Sequence, residues 1–74
     1  MMLLDTDAQG IEVYVYNEPS SYRKESVWLA YTIQEKLAAI TRQKKRGVKF
    51  ADFQVLRDLS NRCPAVLVEL GFIK

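Results

Sequence analysis

The run Pro64-Ala65-Val66-Leu67-Val68-Glu69-Leu70-Gly71-Phe72 limits this chain more than any other segment. From Pro64 to Val68 an extended strand has no polar side chain on either face, and strands of that kind are normally covered on both sides. Glu69 follows. A carboxylate at the end of such a strand must be paired, protonated or set in a cleft, because burying a bare charge costs too much. Glu69 is therefore the first candidate for chemistry.

Upstream, Ile11 to Tyr16 alternate, which predicts a strand with Ile11, Val13 and Val15 on one face and Glu12, Tyr14 and Tyr16 on the other. Asn17, Glu18, Pro19, Ser20 and Ser21 form a turn cluster, and either serine can cap a helix that begins near Tyr22. Val27, Ala30, Ile33, Leu37 and Ile40 then recur at helical spacing, with Arg23, Glu25, Gln34, Glu35 and Lys36 largely off that stripe. Arg42 to Arg46 suit the negative end of a helix, and Gly47 suits a left-handed exit, so the helix should stop between Gln43 and Gly47. Trp28 and Tyr31, beside the stripe, are expected to pack.

Ala51, Phe53 and Val55 alternate with Asp52 and Gln54, predicting a second strand that runs to about Arg57. Asp58, Ser60, Asn61 and Pro64 make a loop before the apolar strand. The expected architecture is α/β: strand, long helix, strand, strand, with one helix layer on a small sheet. It forms a single domain over residues 1–74, residues 1–10 being irregular. One helix covers one face only. The other face must be closed by a second chain, or the sequence is part of a larger domain.

Composition removes several alternatives. The 74 residues contain no histidine and one cysteine, Cys63, so the commonest zinc ligand and the commonest neutral-pH base are missing and no disulfide can form within the monomer. A chain this short buries only about 60% of its unfolded surface. The net charge of +2 is too small to imply a nucleic-acid partner. The basic cluster Arg42, Lys44, Lys45 and Arg46 has no interleaved aromatics and is explained by its place at a helix end. No stretch approaches the roughly 18 apolar residues of a membrane span, and Met1 to Leu4 is too short for a signal-peptide core. The residues themselves assign no compartment.

The segments Phe53-Gln54-Val55-Leu56-Arg57 and Pro64 to Ile73 resemble the C-terminal signature of the zinc-dependent N-acetylmuramoyl-L-alanine amidases. Gly10 to Tyr14 resemble the strand after that family's zinc-binding histidine, and Tyr22 to Gln43 the helix that follows it. The resemblance implies a partial amidase-type domain and a cell-envelope or secreted location. It also implies hydrolysis of the amide between N-acetylmuramic acid and the L-alanine of the peptidoglycan stem peptide, by zinc held on two histidines and a glutamate.

In that scheme Glu69 matches the catalytic glutamate, and partial desolvation at a strand end would raise its pKa toward a useful range. Arg57, in the Val55-Leu56-Arg57 stretch, is the candidate to line the cleft or contact substrate. A purely structural role for Glu69, paired with Arg57 or Arg62 or held by backbone N–H groups, stays open on the residues alone.

The family's metal ligands have no counterpart here, so no zinc site and no activity are expected of this polypeptide by itself. It looks like an internal fragment or a truncated reading frame. The alternative is a non-catalytic, amidase-derived module that forms a homodimer through its exposed sheet face or docks a partner.

Overall fold

The computed structural model describes residues 10–71. The expected irregular stretch, apart from Gly10, lies outside the described residues, as does Phe72 at the end of the apolar run. Gly10 itself opens the first strand, β1 (Gly10–Tyr16). Helix α1 (Arg23–Thr41) follows, then β2 (Lys45–Ala51), a short helix α2 (Gln54–Leu59), and β3 (Leu67–Gly71). The three strands form one mixed sheet in the order β2-β1-β3, with β2 parallel and β3 antiparallel to β1. This is the small α/β arrangement expected, with α2 added.

The alternation in β1 builds the core. Ile11, Val13 and Val15 are fully buried under α1 together with Ala30, and Val27, Leu37, Ala38, Val48, Val66 and Val68 pack around them. Burying such branched side chains contributes about 1.5–3 kcal/mol each, so β1 anchors the sheet. Gln34, from the middle of α1, is buried against it. Its amide donates to the carbonyls of Ile11 (3.0 Å) and Gly47 (2.8 Å), which flank a register shift between β1 and β2. Gly10 completes that junction: its φ is +120°, and a Cβ there would lie 2.5 Å from the Lys44 carbonyl oxygen.

Several expectations need correcting. The second strand is Lys45–Ala51, not the stretch from Ala51 to Arg57, most of which forms α2 with Leu56 buried. The expected buried strand is an edge strand, β3, whose residues are half-buried or exposed; the strand covered by neighbours on both edges is β1. Arg42, with φ 59°, makes the left-handed exit of α1 in place of Gly47, and its N–H bonds to the carbonyl of Ala38. Arg42 to Arg46 therefore lie beyond the last helical turn, and Lys45 and Arg46 belong to β2.

The buried stripe of α1 is also rotated from the one expected, centring on Ser26, Ala30 and Gln34. Ile40, Trp28 and Tyr31 point outward at 78%, 70% and 57% exposure. Small and amide side chains occupy the contact line because the helix lies close to β1 and must satisfy its bulge. Neither serine of the turn caps α1 through its hydroxyl; Tyr22 is the capping residue. Ser26 Oγ instead accepts from the Ala65 N–H (2.9 Å), fastening the approach to β3 to the start of α1. No helix of the described residues is long and apolar enough to cross a membrane.

Replacing Gln34 by Leu keeps the volume but strands two carbonyls, so we expect a loss of roughly 2 kcal/mol, about 10 °C in Tm. Thermal unfolding followed by circular dichroism checks this; an unchanged Tm would show that the amide does not hold the bulge.

Candidate active site

The face of the sheet turned away from α1 carries the polar side chains of β1. Glu12 stands directly opposite Glu69 across the β1–β3 ladder, while Tyr14 stands between Leu67 on β3 and Lys49 on β2. The register shift beside Gly47 turns Arg46 toward the same strip. Glu12 is consequently held from three directions: Lys49 Nζ at 2.6 Å, Arg46 Nε at 3.4 Å, and the Tyr14 hydroxyl, which donates at 2.9 Å. The Lys49 hydrogen bond, with help from Tyr14 and Arg46, outweighs partial burial and keeps the Glu12 carboxyl below its ordinary range. Burial first, and the hydrogen bond to Glu12 second, push the Tyr14 phenol up. The Tyr14 ring meets Phe53 edge-to-face, centroids 5.2 Å apart.

Glu69 is exposed on this strip and forms no ion pair among the described residues. The burial on which its expected desolvation rested is absent, because β3 is an edge. Neither structural partner foreseen for it is engaged: Arg57 faces Asp52 at 3.9 Å, and no hydrogen bond or ion pair joins Arg62 to Glu69. Arg57 projects from α2, which follows the end of β2 paired with Tyr16, whereas Glu69 lies toward the beginning of β1. The structure does not bring Arg57 and Glu69 into contact.

Glu12, Tyr14, Arg46 and Lys49 were not foreseen as a group. The alternation of β1 already set Glu12 and Tyr14 on one face, and Val48-Lys49-Phe50 carries the same period-2 signal. Reading the cations as a helix end hid it.

Comparisons with known proteins show the family. The family model described as N-acetylmuramoyl-L-alanine amidase matches residues 3–74. The chain belongs to that amidase family. A relative described as an uncharacterized cell wall amidase, from Bacillus anthracis, is 38% identical over 71 residues, which cover 90% of this chain and 13% of the relative. The chain thus spans a small part of that curated protein's length. No solved structure matches it.

The zinc implied by the sequence resemblance finds no fitting ligand set among the described residues. The chain has no histidine, no three of Cys, Asp and Glu converge among the described residues, and Glu12 is already neutralised by two cations. Cys63 is exposed, in the loop after α2.

Because Glu12 has a lowered pKa in the folded state, its stabilising effect is complete above the unfolded value near 4.5 and is lost as pH falls through the folded value. Glu12→Gln should therefore be less stable than the parent at neutral pH, and the gap should close on acidification below 4.5. Urea midpoints measured across that range test it; a gap independent of pH would contradict the ion-pair account.

Proposed function

We propose that this chain is the part of a peptidoglycan-hydrolysing N-acetylmuramoyl-L-alanine amidase domain that carries the catalytic carboxylate, Glu69, without the metal ligands. The pairing of Glu69 with Glu12 on the face turned away from α1 is the observation that supports this reading. It leaves Glu69 without an ion-pair partner among the described residues, at the end of β1 that is entered from residues 3–9. The resemblance sets the metal-binding loop just upstream of that point. Glu12, with its charge offset by Lys49 and Arg46, adds little repulsion to a working carboxylate.

A carboxylate so placed can accept the proton of an attacking water and return it to the leaving amine. Arg57, on α2 beside Asp52, is a substrate contact in this reading. The substrate is the stem-peptide junction of peptidoglycan, and the site of action is the cell envelope. In this reading the 74 residues alone do not turn over substrate, because the sequence has no histidine and no metal-ligand cluster forms among the described residues.

A second reading, self-association of a non-catalytic module, also starts from the face turned away from α1. It requires a dimer in solution, and a monomeric chain would remove it.

Purified chain incubated with zinc and muropeptide should release no stem peptide above the blank. A chimera in which residues 3–74 replace the matching segment of the Bacillus anthracis cell wall amidase should hydrolyse muropeptide. Glu69→Gln in that chimera should lower turnover about 100- to 10,000-fold at unchanged Tm. Parent-level turnover in the Glu69→Gln chimera would overturn the assignment.

A further inference from the structure

The side of α1 turned away from the sheet carries an aromatic strip that the core does not use. Trp28, the chain's one tryptophan, is 70% exposed and Tyr31 57% exposed. At i,i+3 and i,i+4 spacing, Lys24, Glu25, Trp28 and Tyr31 are neighbours on one surface. Lys24, Glu25 and Trp28 line an open groove of about 310 Å³, at the lower end of small-ligand sites. Neither Lys24 nor Glu25 forms an ion pair among the described residues. Helix formation does not call for an indole here, since Trp is a middling helix former and its ring gains nothing from the core.

We propose that this groove is a binding site for the amino-sugar strand of the cell wall, separate from the Glu69 face. A pyranose ring has a flat side of C–H bonds that lies on the negative face of an indole, while its hydroxyl and acetamido groups remain at the rim and need donors and acceptors. Trp28 supplies the flat face, Tyr31 extends it by one helical turn, and Lys24 and Glu25 supply a donor and an acceptor at the edge.

Other occupants fit less well. Lys24 and Glu25 cancel in charge, so the groove has no pull on an anionic lipid surface. Two aromatic rings fall far short of the roughly 800 Å² per partner in a stable protein interface. The choice of a sugar rests on the cell-wall reading above. The site itself lies across the sheet from Glu69, because α1 covers the Ile11, Val13 and Val15 face while Glu69 pairs with Glu12 on the other.

Trp28 reports on the site directly. Titrating the 74-residue chain with a soluble β-1,4-linked tetramer of N-acetylglucosamine should give a saturable blue shift of its fluorescence. Tyr31→Ala should weaken that binding about two- to tenfold. Trp28→Ala, which removes an exposed side chain, should keep the parent's circular dichroism and lose sedimentation with insoluble peptidoglycan. A folded chain whose fluorescence ignores the tetramer would overturn the proposal, as would an equal response to free stem peptide or to anionic vesicles. Sugar binding together with a fully active Glu69→Gln chimera would sink the catalytic assignment and leave this one standing. An inactive Glu69→Gln chimera with no sugar response would do the reverse.

Discussion

The antiparallel register between β1 and β3 is the constraint on which the site depends. Side chains alternate along a strand, so a slip of one residue would carry the whole of β3 to the other face. Val13 opposite Val68 fixes the choice, because both belong to the apolar cluster under α1. Once those valines are buried, Glu12 and Glu69 must share the open face. Hydrophobic packing on one side of the sheet thereby sets the position of a carboxylate on the other.

Glu12 and its partners make that position tolerable. Two carboxylates directly opposite each other on a sheet repel, and here Lys49 and Arg46 offset one of them. Arg46 reaches Glu12 through the register shift between β1 and β2. The shift in turn depends on Gly10, where a side chain would strike the Lys44 carbonyl, and on Gln34, which bonds the carbonyls on both sides. A buried amide in the helix and a glycine at the strand start thus act on the same few ångströms of backbone. Membership of the amidase family gives that arrangement a chemical context.

Much of the fold could be read from residue order. Ile11 to Tyr16 showed both faces of β1, and the long helix followed from its spacing, beginning one residue after Tyr22 and ending at Thr41, short of the expected stop between Gln43 and Gly47. The short elements were harder. Phe53 to Arg57 alternates like a strand, yet one and a half turns of helix bury Leu56 equally well, and so short a run cannot decide between them. Lys45 to Gly47, the start of β2, looked like a helix end because the cations and the glycine imitate one; pairing with β1 overrides that local signal. Glu69 was legible as an unusual carboxylate, and the sequence resemblance implied a role for it. Its exposure was not legible, since an apolar run reads as buried whether the strand lies at the centre or the edge of a sheet. The outward turn of Trp28 and Tyr31 depends on Ser26, Ala30 and Gln34 taking the contact line, and apolar spacing favours the neighbouring stripe instead.

The most direct measurement is the set of cross-strand proton contacts between β1 and β3 in solution, observed by nuclear Overhauser spectroscopy on the isotope-labelled chain. The register described here requires backbone contacts that pair Glu12 with Glu69 and Val13 with Val68. Contacts pairing Glu12 with Val68 or Leu70 would place Glu69 on the helix-covered face and contradict the account of the site.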